Sequence, residues 1–411
     1  MTKIVNPIYE DVRHNKIELF NTDEIKLEAK RCLGCKNHPC SLACPIQNEP
    51  HHFIDLIKND KEEEGAKFVY DKNAFSSICG MICPSSKYCE ASCLRGKIDK
   101  PIEIRKLHLY LANLNGRKDK PHLKPLIGKN VAIIGGGPVG VYIAHKLSID
   151  GVNAEIFESL PYLGGALKEQ IPTFRLDKNT IKKDFNYLLN NRVKVHLNTT
   201  FGKDIKFNEM KAKYDAIVFA IGMHEARIYD FMKGHPKVIL AQDFLRKMRH
   251  DEIVDAYERI VVIGGSDVAM DCIASAKYVA KEVYGVYRRE KERLRANEEE
   301  KRLAFQVVDK YIFNRTPLRF DEFNNMVFKD YYGDEEETIP ADLYILAIGT
   351  MNDEKALENI FDFKDNNIVS KYDDKVFYAG DMDAKDKTLV SALQSANVCL
   401  KNLYHFLRID D

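Results

Sequence analysis

The sequence lacks an excess of charge of either sign, and it lacks any long apolar run. Its 62 basic and 62 acidic residues cancel, so nothing favours a strongly charged partner such as nucleic acid or a membrane surface. No stretch approaches the roughly 20 apolar residues of a membrane-spanning helix. The first residues, MTKIVNPIYEDVRHNKIELF, carry early charges and no apolar core, unlike a signal peptide. We therefore expect a soluble, cytoplasmic protein that binds neither nucleic acid nor membrane.

Cysteine is scarce beyond residue 93. Eight of the ten cysteines lie in two runs, RCLGCKNHPCSLACP at 31–45 and CGMICPSSKYCEASC at 79–93. In a reducing cytosol such dense thiols favour metal binding or catalysis over a disulfide framework. Cys272 and Cys399 follow apolar helix positions and are typical of core residues. Because the later chain has no close pair of cysteines, the pattern argues against a disulfide reductase.

The order of patterns predicts an α/β protein of three domains. Residues 1–125 have apolar residues at helical spacing around the cysteine loops, which predicts a helical domain. From residue 130, strand–glycine–helix–strand units recur, which predicts parallel sheets with helices on both faces, as in Rossmann-like dinucleotide-binding domains. The late strand KVFYA predicts that the first of these domains, 126–225 with 345–411, surrounds an inserted second domain, 226–344.

The first such unit, NVAIIGGGPVG, carries a dinucleotide fingerprint. Gly135 permits a tight turn, Gly137 lets the backbone approach a pyrophosphate, and Gly140 lets the helix pack on the strand. Pro138 opens the helix, whose N-terminus offers N–H groups to phosphates. Glu158 ends the next strand, where a carboxylate binds ribose hydroxyls. With strand, helix and acid all in place, the prediction is strong.

The second unit has the small residues serine and alanine in place of two glycines, and it has basic residues in place of the acid. Its turn, GGSDVA, offers four candidate contacts to a nucleotide: Gly264, Ser266, Asp267 and Val268. The following strand ends in Arg288 and Arg289, with Arg295 nearby, and arginine at this point accommodates a 2′-phosphate. The alternative is an exposed basic helix start, RREKERLR. We favour NADP(H) over NAD(H).

Two dinucleotide folds indicate a nicotinamide and a flavin cofactor, between which hydride passes directly, so that no catalytic side chain is required. The first cysteine run, C-x2-C-x4-C-x3-C-P, resembles that of ferredoxins, and the second is its near mirror. Eight soft thiolates suit two iron–sulfur clusters. Zinc is the competing metal, but it carries no electrons, which favours clusters beside two redox cofactors.

Over essentially its whole length the chain resembles the family of the glutamate synthase small subunit, which includes the electron-input half of dihydropyrimidine dehydrogenase and the large subunit of the NADPH-bifurcating transhydrogenase. The resemblance rests on CLGCKNHPCSLACP, CGMICPSSKYCEASC, VAIIGGGPVG, GGALKEQIPTFRL, VVIGGSDVAMDC, VYRR and YAGD. The cysteine loop CGMICPSSKYC and the stretch LRANEEE are similar to dihydropyrimidine dehydrogenase in particular. This implies a double [4Fe-4S] domain, an FAD domain and an inserted NADP domain.

The resemblance also implies roles for single residues. The arginines would bind the 2′-phosphate, and the residues at the flavin would be Gly165, Arg175, Gly380, Asp381 and Thr388. Ala347 and Gly349, in DLYILAIGT, are further cofactor-binding candidates. One cluster would be held by Cys32, Cys35, Cys40 and Cys93, and the other by Cys44, Cys83, Cys89 and a side chain that is glutamine in dihydropyrimidine dehydrogenase. Here that position is His108, and imidazole ligates iron in some clusters; Cys79 is the rival ligand.

The leading hypothesis is an electron-transfer subunit that oxidises NADPH on FAD and passes electrons through two [4Fe-4S] clusters to a separate partner subunit. The chain has neither the FMN barrel of dihydropyrimidine dehydrogenase nor an amidotransferase subunit, so we do not expect it to reduce pyrimidines or make glutamate alone. Two alternatives stay open: a stand-alone NADPH oxidoreductase with a small-molecule acceptor, and a zinc-stapled, non-catalytic nucleotide-binding protein.

Overall fold

A computed structural model of the chain describes residues 21–114, 121–253, 256–364, 367–372 and 375–409. The predictions about the first 20 residues and about residues 116–120 of the linker lie outside these ranges. Within them, no helix combines the length and apolar character needed to cross a bilayer.

The described helices begin in the cysteine-rich segment and end at the C-terminal side of the chain. In chain order they are α1 (Thr22–Lys30), α2 (Pro39–Leu42), α3 (Pro50–Lys58), α4 (Glu62–Lys72), α5 (Ser76–Ile82), α6 (Ile104–Asn113), α7 (Pro138–Ile149), α8 (Ala166–Glu169), α9 (Lys178–Leu188), α10 (Phe207–Lys213), α11 (Ala241–Arg249), α12 (Asp267–Ala276), α13 (Glu298–Val307), α14 (Glu354–Leu357) and α15 (Leu389–Leu407).

The described strands all follow the cysteine-rich segment. They are β1 (Asn130–Ile134), β2 (Asn153–Phe157), β3 (Val193–His196), β4 (Ala216–Phe219), β5 (Glu225–Ala226), β6 (Val238–Leu240), β7 (Tyr257–Ile263), β8 (Ala280–Val286), β9 (Lys310–Ile312), β10 (Arg315–Phe320), β11 (Met326–Asp330), β12 (Glu336–Ile339), β13 (Leu343–Leu346), β14 (Thr350–Met351), β15 (Phe361–Lys364), β16 (Asn367–Ser370) and β17 (Val376–Tyr378).

The cysteine-rich segment is helical between its loops, as its pattern predicts. Helix α1 starts with a capping box, because the Asn21 side chain accepts from the backbone of Glu24 while the Glu24 carboxylate accepts from Asn21 N. Apolar residues at helical spacing on α1, α3, α4 and α6 bury a common core, in which Phe53, Ile57 and Leu107 are fully enclosed. This core supports the loops that carry the thiols.

Two parallel sheets follow, as predicted. The first has the order β17-β4-β1-β2-β3, and Val376–Tyr378 pairs with Ile217–Phe219. The prediction that the first domain takes its last strand from the C-terminal part is therefore confirmed. The second sheet has the order β6-β13-β7-β8-β9. A three-stranded antiparallel sheet, β10-β11-β12, has a hairpin at residues 331–335, between β11 and β12.

The described residues divide into two compact units. One comprises Lys168–Asp177 and Glu225–Met351, and it contains the second parallel sheet. The other comprises 21–167, Lys178–His224 and 352–409, and it contains the cysteine-rich helices and the first parallel sheet. The three domain ranges above remain predictions, and the grouping of 168–177 with the second sheet was not among them.

Candidate cofactor-binding sites

The first thiol group lies in one cavity. Cys32, Cys35 and Cys40 line it from the first cysteine run, and Cys93 lines it from the second. Gly34, at φ +61°, makes the turn between Cys32 and Cys35 in a conformation that favours glycine. Burial raises the pKa of the Cys40 thiol, and the charges that Cys32 and Cys93 would carry raise it further. The structure thus brings together the four thiols that the resemblance assigns to one cluster.

The second thiol group is more deeply buried. Cys79 lies one helical turn before Cys83, whose N–H donates to the Cys79 carbonyl. Burial raises the pKa of Cys83 and of Cys89, and the charge that Cys44 would carry adds to both shifts. Burial also raises the pKa of Cys79 to about 12, with a contribution from Cys44. These four thiols are therefore electrostatic neighbours, so Cys79 lies beside the three predicted ligands.

His108 is buried close to this second group. Its Nε2 lies 3.3 Å from Asn48 Nδ2 and 3.1 Å from Ser76 Oγ, and Asn48 N donates to Cys44 Sγ over 3.4 Å. Burial lowers the pKa of the imidazole to about 4, so the ring is neutral at pH 7. Neither Asn48 nor Ser76 was anticipated from the sequence.

The contacts of Ser76 favour a proton on Nε2 of His108. Ser76 Oγ lies 2.6 Å from the Val69 carbonyl and 2.9 Å from that of Asn73, so its one proton is already donated and it can only accept from Nε2–H. Asn48 Oδ1 is buried without a partner, and turning its amide would offer that oxygen to Nε2–H. Nδ1 then keeps its lone pair, and among the described residues it has no hydrogen bond.

Within the described ranges, no three His, Cys, Asp or Glu side chains are grouped as a single bound metal ion would require. The metal-ligand sets therefore remain predictions that rest on the two thiol groups above.

The first glycine turn is closed by steric contacts that only glycine allows. A Cβ on Gly135, at φ +105°, would lie 2.5 Å from the carbonyl oxygen of Ala220, which follows β4. A Cβ on Gly140 would lie 2.0 Å from the Gly135 carbonyl oxygen. Glu158 accepts from Gly136 N over 2.7 Å, so the acid that ends β2 is bonded to the turn itself. The turn, the helix α7 and Glu158 thus form the arrangement predicted for a dinucleotide.

Gly137 is the one glycine of this turn with open space beside it. Its φ is −70°, and a Cβ there would meet nothing closer than Gly165 Cα at 3.9 Å. Gly165 in turn would place a Cβ 3.0 Å from Gly137 Cα. The backbones of Gly137 and Gly165 therefore approach each other closely at the N-terminus of α7, and neither residue places a side chain over the N–H groups that a pyrophosphate would contact.

The C-terminal candidates lie beside the same turn. Gly380, at φ +85°, would place a Cβ 3.1 Å from Val139 Cγ2, so its loop packs on the start of α7. Burial raises the pKa of Asp381. Thr388 caps α15 by accepting from Ser391 N. These three of the five residues that the resemblance assigns to the flavin thus follow β17, the edge strand of the first sheet.

Tyr88, which the sequence did not single out, joins the second cysteine loop to this C-terminal loop. Its hydroxyl lies 3.2 Å from an Asp386 carboxylate oxygen and 3.3 Å from Thr388 Oγ1. Tyr88 stands between Cys83 and Cys89 in the sequence. The thiol loop and the predicted flavin site are therefore in direct contact, which no local pattern could have shown.

In the second glycine turn, as in the first, a close backbone contact leaves no room for a side chain. A Cβ on Gly264 would lie 2.3 Å from the carbonyl oxygen of Ala347, which follows β13. Ala347 therefore closes this turn as Ala220 closes the other. Gly349, at φ +105°, accepts from Arg227 N over 3.0 Å and leads into β14. Ser266 occupies the N-cap position of α12 without a side-chain capping hydrogen bond, and Val268 is exposed in the first turn of that helix.

Asp267 and Arg295 tie the loop after β8 to this turn. The Asp267 carboxylate accepts from both the backbone and the side-chain nitrogen of Asn297, each over 2.6 Å. Arg295 N donates to the Gly265 carbonyl over 2.8 Å. Arg295 and Arg288 are exposed, and neither side chain has a partner among the described residues; Arg289 is half-buried. Two free guanidinium groups therefore stand beside the turn, as a 2′-phosphate site requires.

Arg175 makes contacts that the sequence did not anticipate. Its guanidinium donates to Asp271 over 2.5 Å and also to Glu300, and both carboxylates are buried. Burial raises the pKa of Asp271 to about 7 even though Arg175 lowers it. Phe174 packs in the core of the same unit. The contact of Arg175 with a flavin stays a prediction. The contacts that the structure shows are with Asp271 on α12 and Glu300 on α13.

These features define a class of protein: an oxidoreductase with two Rossmann-like sheets, each with a glycine turn at its edge, and a helical cysteine-rich domain. A profile described as pyridine nucleotide-disulphide oxidoreductase matches residues 129–396. A second, described as dihydropyrimidine dehydrogenase domain II with a 4Fe-4S cluster, matches residues 10–120. The chain belongs to the pyridine nucleotide-disulphide oxidoreductase family and, within it, to the group of PreT and the glutamate synthase small chain.

Relatives over nearly the whole chain support this placement. The chain is 31% identical over 395 residues to the NAD-dependent dihydropyrimidine dehydrogenase subunit PreT of Salmonella typhimurium, covering 92% of this chain and 94% of the relative. It is 28% identical over 347 residues to the glutamate synthase [NADPH] small chain of Escherichia coli, covering 78% and 73%. Mycobacterium tuberculosis FprA in complex with NADPH shares the fold, with 18% identity, a TM-score of 0.57 and coverage of 69% of this chain and 85% of that one.

Proposed function

We propose that the chain is the electron-input subunit of a larger enzyme, which oxidises NADPH on FAD and passes electrons through two [4Fe-4S] clusters to a separate catalytic subunit. The observation that carries the proposal is the cavity in which Cys93 joins Cys32, Cys35 and Cys40, although it comes from the other cysteine run. The named relatives are subunits or chains of enzymes, and this supports a partner.

The cofactors would supply the redox chemistry, since a flavin takes a hydride pair from a nicotinamide and iron–sulfur clusters carry single electrons. The work of the protein is to bind them and to hold their sites together. No acid, base or nucleophile of the chain is required for hydride transfer, and we assign none.

The first glycine turn is proposed to hold FAD. Gly135 and Gly140 shape the turn, while Gly137 and Gly165 leave the space beside the α7 N-terminus free of side chains. The Glu158 carboxylate accepts a hydrogen bond from Gly136 N, and we propose that it also accepts one from a ribose hydroxyl of FAD. Pro138, Gly380, Asp381 and Thr388 would line the remainder, since Pro138 opens α7 and Gly380 packs on Val139 of that helix.

The second glycine turn is proposed to hold NADPH in preference to NADH. The relative PreT is named NAD-dependent and the glutamate synthase small chain carries NADPH in its name, so family membership leaves the choice open. Arg288 and Arg289 follow β8 at the point where an acid would bind a ribose hydroxyl, and Arg288 and Arg295 are exposed beside the turn without partners among the described residues. Guanidinium groups in this position bind a 2′-phosphate bidentately.

The fourth ligand of the second cluster is proposed to be Nδ1 of His108, alongside Cys44, Cys83 and Cys89. A histidine that ligates a metal donates its other ring N–H to a fixed acceptor, and Ser76 Oγ is such an acceptor for Nε2–H. The nearby thiol Cys79 is the competing candidate, so variants of both residues decide between them.

An anaerobic NADPH titration of the purified, metal-reconstituted protein tests the function. We expect bleaching of the flavin absorbance, followed by cluster signals in low-temperature EPR, with NADH at least tenfold less effective. Arg288→Ala with Arg295→Ala should raise the KM for NADPH at least tenfold and leave that for NADH within twofold. Flavin bleaching without any iron signal in a fully loaded sample would refute the proposed electron path.

Metal analysis supplies the control. Cys93→Ser should lose about four iron atoms, one cluster, whereas Cys272→Ala, a buried cysteine of the other unit, should keep all of them. His108→Ala should disturb the second cluster. Cys79→Ser should leave the EPR spectrum and the reduction potential of that cluster unchanged. Loss of the cluster in Cys79→Ser but not in His108→Ala would overturn the ligand assignment, and zinc in place of iron would overturn the function.

A further inference from the structure

The loops around the first thiol cavity expose an unusual group of apolar side chains. Leu33, Leu42, Leu94 and Ile98 are 47%, 80%, 39% and 65% exposed. Single exposed apolar residues are ordinary, but a group of them on a structured surface marks an interaction site. We refer to these four residues with the loops that carry them, 30–45 and 91–101, as the cysteine-loop face.

The cysteine-loop face is one surface. Leu33 and Leu94 line the same cavity as the four thiols of the first group. Arg31 joins the two loops, because its guanidinium donates to Asp99 over 3.0 Å and to the Lys100 carbonyl over 2.7 Å. Leu42 lies on α2, which also carries Cys40. Leu33 and Leu94 therefore lie at the first thiol cavity, and Leu42 and Ile98 lie on the loops that contribute its thiols.

The cysteine-loop face is also strongly basic, in a chain whose total charge is zero. Its two loops contain six lysines and arginines and a single acid, Asp99. Arg31 and Arg95 both pair with that acid. Lys36 and Lys97 are exposed, and neither has a partner among the described residues. An apolar centre with unpaired positive charges at its edge is complementary to an acidic surface with an apolar centre.

We propose that the cysteine-loop face docks an acidic one-electron redox protein, which receives electrons at the first thiol group. This proposal rests on the proposed function and deepens it by naming the surface and the charge of the partner. Each NADPH oxidised releases one proton and two electrons, so two molecules of a one-electron acceptor, such as a ferric haem protein, are reduced to the ferrous state and NADP⁺ is formed.

Binding to a charge-reversed pair of probes tests the docking surface without any turnover. Native cytochrome c is basic, and the same protein with succinylated lysines is acidic while its haem is unchanged. In isothermal titration with the oxidised holoprotein at low salt, we expect the succinylated probe to bind at least tenfold more tightly than the native one. The difference should shrink in high salt, because ions screen the attraction.

Variants locate the binding on the molecule. Lys36→Glu with Lys97→Glu should weaken binding of the acidic probe at least tenfold, and Leu42→Ser should weaken it about threefold, since Leu42 is largely exposed and contributes little to folding. Lys67→Glu is the matched control, because Lys67 is exposed on α4 of the same helical segment; its Kd should stay within twofold of the parent protein. An equal effect of Lys67→Glu would overturn the proposal.

Turnover distinguishes a failed docking proposal from a failed function. NADPH-dependent reduction of a small dye should be the same in all these variants, whereas reduction of the acidic cytochrome should fall with its affinity. If dye reduction is absent throughout, the proposed function fails. If dye reduction is normal but the two cytochromes bind alike, the docking proposal fails. Conversion of a dimer to a monomer by Leu42→Ser, measured by light scattering, would show a self-interface and also overturn it.

Discussion

Gly137→Ala separates the binding role of a glycine from its structural role. The Gly137 backbone has φ −70°, which alanine adopts freely, and its added Cβ would meet no atom closer than 3.9 Å. The substitution should therefore change the stability of the flavin-free fold by about 1 kcal/mol or less, since alanine is a poorer N-cap than glycine by roughly 1 kcal/mol and a stiffer unfolded chain offsets part of that cost. The methyl group nevertheless occupies the space in which the FAD pyrophosphate is proposed to lie.

The expected loss is in FAD affinity alone. Excluding the pyrophosphate from the α7 N-terminus should weaken FAD binding at least 100-fold, which is about 2.7 kcal/mol. The assay is a flavin titration of deflavinated protein by fluorescence, together with the thermal midpoint before and after FAD. FAD at 100 times the parental Kd stabilises the parent by about 2.7 kcal/mol, and it should shift the midpoint of the variant very little.

Gly140→Ala is the comparison that makes this result interpretable. Its Cβ would lie 2.0 Å from the Gly135 carbonyl oxygen, so the helix must move and the flavin-free protein itself should unfold at a lower temperature. If Gly137→Ala binds FAD within threefold of the parent, the turn is not the pyrophosphate site. If it unfolds as early as Gly140→Ala, the steric reasoning is wrong.

Three further substitutions test single contacts. Tyr88→Phe removes the hydroxyl shared by Asp386 and Thr388, and it should lower the free energy of unfolding by roughly 1 kcal/mol, measured by denaturant titration. Glu158→Gln loses the charged acceptor of Gly136 N and should weaken FAD binding about tenfold, measured by fluorescence. Burial raises the pKa of Asp271 to about 7, above the unfolded value near 4, so the contribution of its protonated form to stability is lost as the pH rises through that interval. Asp271→Asn should therefore reduce the pH dependence of the thermal midpoint between pH 5 and 8, measured by thermal unfolding. An unchanged pH dependence would contradict this.

Most of the sheet architecture could be predicted from the sequence. Repeated strand–glycine–helix units predicted two parallel sheets, and KVFYA predicted the C-terminal strand that pairs with β4. These succeeded because glycine turns and buried strands are local patterns with few alternative structures. The grouping of 168–177 with the second sheet was missed, because the contacts of Arg175 and Phe174 there are to residues about a hundred positions later and leave no periodic trace.

The sequence by itself determined the two nucleotide folds and the crowding of thiols, since both depend on which residue types stand at short, fixed spacings. Only the tertiary structure brought Cys93 to Cys32, set Tyr88 against Thr388, and enclosed His108 with its Nε2 beside Ser76 Oγ. These arrangements depend on which distant segments pack together, and that choice is made by the whole core at once. The proton on a ring nitrogen and the exposure of Leu42 are therefore properties of the fold, not of the residues that carry them.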